Sequence, residues 1–332
     1  MKIFQSFFKL IAYTRKIINM NSKLNDLLPS VKLNNHHSND NYLSECFEEC
    51  KKFMKENYEN FTIGSKFIPK NIRKHFYSVY TFCRLTDDIG DESNGDRIEN
   101  LRIWEKELDK CYISKSSHPY FIALENTIKT FKIKKYLFKR IITANLMDQK
   151  IQYFQTFSDL LNYCKYSANP VGRILLQLLN CSNKNNIFLS DKICTALQIT
   201  NFLQDIKRDI ENNRLYIPIC DLKRFRVNYE EIKQKKYSKN FKKMMEFQVT
   251  RTKKLFEEGY NLINYIDKKL VLDVSLFTMG GLSIIGKIEK NNFDTITKRP
   301  TLSKLDKIKI FISIYVRIKL SLNPISGKNF LK

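Results

Sequence analysis

The sequence predicts an all-α protein. Three observations carry this. Apolar residues recur at helical spacing almost without interruption from residue 41 onward. Almost nothing alternates with the period of two that half-buried strands need. Only 9 glycines and 7 prolines punctuate 332 residues. A polar, Asn- and Ser-rich linker over 21–40 precedes the helical region, which "NYLSECFEECKKFMKENYENF" opens. Pro69 then precedes "KNIRKHFYSVYTFCRLTDDIGDE", a long helix with an apolar face. "DRIENLRIWEKELDKCY" is the next helix, His118-Pro119 marks a turn, and "YFIALENTIKTF" follows it. Helical pattern continues over 134–152, 156–180, 190–212 and 241–268. No internal repeat is present. The expected division is a basic extension and linker over 1–40, one helical domain over 41–310 built as a bundle around a central cavity, and a tail over 311–332.

Composition narrows the function. Hydrophobic residues make up 43% of the chain and aromatic residues 13%, so it buries a sizeable core and is not disordered. A net charge of +24 points to an anionic partner, although the abundance of Lys, Asn and Ile also fits a lysine-rich solvated surface. No arginine-rich repeat, zinc-finger spacing or aromatic RNA-binding signature occurs, so nucleic acid is not the expected partner. The eight cysteines form no CxxC, and Cys46 and Cys50 with His36 and His37 do not match the common zinc spacings. A reducing, cytoplasmic setting with free thiols is expected. The first twenty residues are basic and apolar, without an acid, and read as a membrane-surface helix at the inner face, a targeting segment or a mis-assigned start.

Two helical stretches carry the chemistry. In the first, Tyr80, Arg84, Asp87, Asp88 and Asp91 fall at i, i+4, i+7, i+8 and i+11, on one face. Phe76, Val79, Phe82, Cys83 and Leu85 form the other. In the second, Gln198, Asn201, Asp205 and Asp209 fall at i, i+3, i+7 and i+11, backed by Ile199, Phe202, Leu203, Ile206 and Ile210. A single acid run is usually a solvated surface stripe. Two matching stripes, each backed by apolar packing, suggest stripes that face one another across a cavity. Carboxylates so placed repel unless a proton or a cation intervenes. The candidate ligands are all hard oxygen donors, which selects Mg²⁺, or Mn²⁺ in its place, over zinc. Such an ion completes its shell with water and phosphate, so the acids are compatible with an anionic diphosphate substrate. Arg84 and Arg214 are placed to grip phosphate oxygens, or to pair with the neighbouring acids.

At these motifs the sequence resembles the squalene/phytoene synthase family of head-to-head prenyl synthases. "YTFCRLTDDIGDE" is similar to the family's first aspartate-rich motif and "QITNFLQDIKRDIENNRLYIP" to its second, and the likeness runs from "ENFTIGSKFIP" to "KRPTLSK". The resemblance implies an isoprenoid synthase fold and Mg²⁺-assisted ionisation of a prenyl diphosphate. It implies Asp87 and Asp91 as metal ligands on one wall, and Asn201, Asp205 and Asp209 on the other. Tyr80, Arg84, Gln198 and Arg214 would contact diphosphate or substrate, with Asp88 and Glu92 behind the ligands. Tyr163 and Tyr216 would line the chamber near the cation. Asn60, Phe61, Phe202 and Tyr166 would form substrate-binding wall. Departure of the diphosphate would leave a cyclopropylcarbinyl-type cation, which aromatic faces stabilise by roughly 0.5–2 kcal/mol each.

Within the family, "ENFTIGSKFIP", "YCKYSANPVGR", "SDKICTALQITNFLQD" and "GGLSIIGKIEKNNFDTITKRPTLSK" are similar to the hopanoid-pathway branch, the hydroxysqualene synthases. That branch implies conversion of presqualene diphosphate and water to hydroxysqualene and diphosphate. Presqualene diphosphate, squalene and phytoene synthases share the same ligands and stay open as alternatives. A non-catalytic assembly factor of the same fold would be expected to have lost metal ligands, and all five stand. "SANPVG" replaces a more apolar "VAGxVG" at a helix break. There Asn169, with Ser167, either holds a water near the cation or caps the broken helix. Gln204 stands where some carotenoid-forming relatives have Arg. No GxGxxG follows a strand, and no nicotinamide is expected. The partners implied are the prenyl diphosphate, a membrane surface and enzymes of the same pathway.

Overall fold

The computed structural model describes residues 39–57, 68–151, 153–320 and 322–325. The expectations for residues 1–38 and for Asn60 and Phe61 fall outside them. Among the described residues the chain is helical, with no strand; a single isolated parallel bridge joins Tyr153 and Leu215. Chain contacts group into two compact units: Met1–Lys150 with Pro170–Ser182, and Ile151–Asn169 with Asn183–Lys332.

The first unit contains α1 (Asn39–Asn57), α2 (Lys70–Glu92), α3 (Arg97–Cys111), α4 (Pro119–Phe131) and α5 (Lys135–Asp148). Asp96 starts α3 by accepting from the Ile98 and Glu99 amides, and Pro119 occupies the first turn of α4, where a missing N–H costs nothing. Helix α2 packs against α1, α3, α4 and α5 and is buried over most of 75–90. Phe82 on α2 anchors the core: it stacks on Trp104 at 5.4 Å and meets Phe138 edge-on at 5.0 Å, while Trp104 lies 4.6 Å from Phe121. The acid face of α2 is thus not a solvated stripe, since Asp87 is only 3% exposed.

His75 on the same helix sits between Phe47 and Phe131. Thr127 Oγ1 donates to the Ala123 carbonyl and Ser78 Oγ to the His75 carbonyl, which leaves His75 Nδ1–H to donate to Thr127 Oγ1 at 2.9 Å. Burial, with Lys74 nearby, lowers the His75 pKa to about 4. The unfolded chain takes up a proton near pH 6.5 that the folded chain refuses, so His75 contributes stability above that pH which is lost as pH falls toward 4. Between pH 7 and 4.5 the wild type is expected to lose about 2 kcal/mol more stability than His75→Gln, measured by chemical denaturation at each pH. Parallel pH profiles would show that His75 is not held neutral.

The second unit contains α6 (Phe157–Ser167), α8 (Lys184–Gln204), α9 (Ile206–Glu211), α10 (Ile219–Arg224), α11 (Tyr229–Lys233), α12 (Lys239–Tyr260), α13 (Lys268–Lys290) and α14 (Lys304–Lys319); α7 (Asn169–Leu178) starts at the division. A capping box of Thr156 and Asp159 opens α6. Helix α8 is the central element, packed by α6, α12 and α13. Its approach to α12 is close because Gly259 has no side chain: a Cβ there would lie 2.8 Å from the Ile193 nitrogen and 2.9 Å from the Leu189 carbonyl oxygen. Among the described residues α13 alone has the length and composition of a membrane span, and half of its apolar window is buried in the protein, as in a core helix.

Several expected helices differ from those observed. The stretch 156–180 is two helices, α6 and α7, with the expected break falling at Ala168 ahead of Asn169-Pro170. The stretch 190–212 is also two, because Asp205 leaves helical geometry at φ −103°, ψ 12°. Residues 268–290 form a helix the periodicity did not mark, and α14 runs through residue 310 to Lys319. All eight cysteines are free.

Candidate active site

The first acid stripe lies on α2. Gly90 lets α2 close onto α5: a Cβ there would run into the Asn145 amide, and the Gly90 carbonyl accepts from Gln149 Nε2 at 2.9 Å. The acids of "DDIGDE" are thereby fixed on a packed helix. Burial, reinforced by Asp91, pushes the Asp87 carboxyl well above the usual range. Asp88 is pushed up to about 6 by burial, with Arg84 pulling the other way. Arg84 grips Asp88 with both faces of its fork, Nε to Oδ2 at 3.0 Å and Nη2 to Oδ1 at 2.8 Å. Burial works against the Arg84 charge, but the Asp88 carboxylate outweighs it and holds the guanidinium firmly protonated. Of the two sequence readings for Arg84, the structure shows the pairing with its neighbouring acid. Tyr80 is 1% exposed, and burial raises its phenol far above the ordinary value.

The second stripe runs along the end of α8 and into α9. Gln198, Asn201, Asp205 and Asp209 are all buried. Despite the kink at Asp205, the ladder continues: the Asp205 amide donates to the Asn201 carbonyl at 2.8 Å and the Asp209 amide to that of Asp205 at 2.9 Å. The stripe therefore survives the break. Both side-chain atoms of Gln198 and the Asn201 Nδ2 have no hydrogen-bond partner. Leaving such buried groups unmet costs about 1–3 kcal/mol each, so helix packing alone does not account for them. Arg214 contributes its backbone amide to the Asp209 carbonyl at 2.8 Å.

Tyr163 and Tyr216, which the family resemblance implied together, lie in one aromatic cluster. Phe202 stacks on Tyr216 at 3.9 Å with planes 2° apart, and Tyr163 lies 6.2 Å from Phe202 and 6.0 Å from Tyr216. Phe154, which the sequence did not single out, completes the group at 5.2 Å from Tyr163. Tyr166 is half-buried one turn away on α6. Asn169 and Ser167 flank the α6–α7 break: Asn169 Oδ1 accepts from Thr195 Oγ1 at 3.0 Å, and the buried Ser167 hydroxyl has no partner.

The residue that sequence reasoning missed is Arg299, whose Nε donates to Asp205 Oδ1. Gln204 Nε2 donates to the adjacent Pro300 carbonyl, so the "KRP" segment is fastened to the end of α8 at two points.

The squalene/phytoene synthase family model matches residues 54–306. The chain belongs to the squalene/phytoene synthase family. It is 38% identical to the crystallised squalene synthase HpnC of Alicyclobacillus acidocaldarius, over 76% of this chain and 96% of that one, with a TM-score of 0.74. It is 27% identical to the chloroplastic phytoene synthase of Daucus carota, covering 81% of this chain and 69% of the relative. It is 26% identical to the 15-cis-phytoene synthase of Synechocystis sp., covering 79% and 83%. A crystallised dehydrosqualene synthase, 24% identical with a TM-score of 0.77 over 85% of this chain and 99% of that one, shares the fold. The fold is that of the isoprenoid synthases, and the chain is an enzyme of the prenyltransferase class that acts on diphosphates.

Enzymes of this family are generally dependent on divalent metal. Among the described residues no three His, Cys, Asp or Glu side chains gather into a group that holds an ion by themselves. The donor chemistry nevertheless fits a hard cation. A buried Asp87 whose ionisation is penalised gains from a nearby positive charge, and the α8 stripe supplies an amide beside two carboxylates.

Proposed function

We propose that this family member ionises presqualene diphosphate and captures the resulting cation with water, giving hydroxysqualene and diphosphate. The observation that supports the ionisation is the burial of Asp87 and of the Gln198, Asn201, Asp205 and Asp209 stripe, together with the unmet amides of Gln198 and Asn201. A surface role for these residues would leave them solvated. Asp87 and Asp91 on α2, with Asn201, Asp205 and Asp209 on α8 and α9, are the proposed holders of Mg²⁺ or Mn²⁺. When bound, such an ion supplies positive charge against the departing diphosphate.

The chain's own residues do the rest. Gln198 offers an amide N–H₂ to substrate oxygen. Arg299 fixes the orientation of the Asp205 carboxylate. Arg84 and Tyr80 bound the α2 face, Arg84 oriented by its fork onto Asp88. The stacked Phe202 and Tyr216, with Tyr163, present ring faces that favour positive charge and exclude stray water. The hydroxyl-forming step is assigned to the polar pair at the α6–α7 break. The Ser167 hydroxyl lacks a partner, and Thr195 pins the Asn169 amide in place, which suits one ordered water.

The test is incubation of the purified chain with presqualene diphosphate and Mg²⁺, with products read by mass spectrometry. Hydroxysqualene is expected from the wild type, and Asn169→Ala is expected to shift the product from alcohol toward alkene. An unchanged alcohol-to-alkene ratio would remove the role of Asn169. Turnover of geranylgeranyl diphosphate to phytoene instead would favour the reading suggested by the phytoene synthase relatives.

A further inference from the structure

Helix α14 carries an apolar face that no other described residue covers. Its inner side is anchored: Ile314 is buried, Asp306 closes a capping box with Ser303, and Lys287 on α13 pairs with Asp306 at 2.7 Å. On the outer side Leu305, Ile308, Ile312, Tyr315, Val316 and Leu320 are 43–69% exposed. At 100° per residue these six positions fall within an arc of about 140°. Scattered exposed apolar residues are ordinary, but a continuous stripe along four turns is not.

The charge on this helix indicates the occupant. Lys304, Lys309 and Lys319 are exposed and lie within the stripe or at its edge, and Lys307 and Arg317 add to them. The only acid, Asp306, is engaged inward. Two copies of the helix packed face to face would bring these lysines together, which disfavours self-association. Long lysine stems beside an apolar stripe instead suit a boundary where the stripe enters hydrocarbon and the ammonium groups reach outward to anionic headgroups.

We propose that α14 is an interfacial helix that docks the enzyme on an anionic phospholipid bilayer, its axis parallel to the surface. The assignment concerns a different element from the basic N-terminal segment and does not depend on which prenyl product the enzyme makes. Its physical sense follows from the substrate class, because long prenyl chains reside in membrane.

The test is flotation of the full-length protein with phosphatidylcholine vesicles, with and without phosphatidylglycerol, across a salt series. The wild type is expected to float with the anionic vesicles at low salt and to be released as salt rises. Ile308→Asp with Ile312→Asp is expected to weaken binding at least about tenfold, because both exposed positions would carry charge into hydrocarbon. Lys309→Glu with Lys319→Glu is expected to abolish the preference for phosphatidylglycerol. Both positions pairs are exposed, so the circular dichroism and the turnover of detergent-solubilised substrate are expected to stay at wild-type values. Equal flotation of the Ile308→Asp/Ile312→Asp protein would overturn the proposal and place attachment elsewhere, such as residues 1–38. So would failure of the wild type to bind any vesicle. A wild-type dimer that the same substitutions convert to monomer would overturn it in favour of a second copy.

Discussion

Asp87→Ala is expected to lower the rate of diphosphate release by about 10²–10³-fold or more, while leaving the protein at least as stable as the wild type. The two halves of this prediction have one cause. The Asp87 carboxyl is buried, and burial together with Asp91 disfavours its charged form. A charge kept in such a place costs folding free energy, so its removal relieves the folded state. In the proposed function the same charge, matched by a cation and a diphosphate, is what the reaction uses. Asp205→Ala is expected to lose activity to a similar degree but to behave differently in stability, because it strands Arg299 without its carboxylate. Diphosphate release and chemical denaturation on the same preparations separate the outcomes. An Asp87→Ala protein that loses activity only in proportion to unfolded material would reduce Asp87 to a structural residue.

Trp104→Ala is expected to cost about 3–5 kcal/mol, the largest stability effect of any single truncation in the first unit. Trp104 is 1% exposed, stacks on Phe82 and contacts Phe121. Its indole N–H donates to Thr86 Oγ1 at 2.7 Å, while that hydroxyl donates to the Phe82 carbonyl. Truncation opens a cavity in the aromatic core and removes the Thr86 acceptor contact at once. Trp104→Phe keeps much of the ring volume and should cost less than half as much. The variants lack tryptophan, since the chain has only one, so the transition is followed by circular dichroism. A Trp104→Ala protein within 1 kcal/mol of wild type, on the order of a single methylene, would show that the cluster relaxes to fill the space.

The sequence was legible where local chemistry settles structure. Helix α2 begins after Pro69 and ends at Glu92, as its pattern predicts. The two acid stripes and the aromatic residues 163, 202 and 216 were all visible as residue types at helical spacing or in matching motifs. What stayed hidden depends on contacts distant in sequence or on the absence of a pattern. The bond from Arg299 to Asp205 joins positions 94 residues apart, and no spacing rule reaches that far. The kink at Asp205 has no Gly or Pro to announce it; its amide still bonds to the Asn201 carbonyl, so the stripe reads as if unbroken. Helix α13 keeps an amphipathic pattern, but its long apolar middle carries no charge between Asp273 and Lys287 to set a wet face apart from core. Helix α14 crosses the point where a tail was expected because its outward face is itself apolar, and composition alone does not separate such a face from core. Arg84 was ambiguous for a different reason: a guanidinium one turn from an aspartate can grip it or a phosphate, and only coordinates show the fork on Asp88.

In the proposed function both acid stripes serve one metal-assisted ionisation of a prenyl diphosphate. The most direct measurement is diphosphate release from presqualene diphosphate by the wild type, Asp87→Ala, Asp205→Ala and the double variant, each with Mg²⁺ and with a chelator. Release is expected from the wild type alone, with loss on chelation and return on adding Mg²⁺, and the double variant is expected to be no slower than either single one. Release that persists undiminished in the alanine variants, or in the presence of chelator, would contradict it.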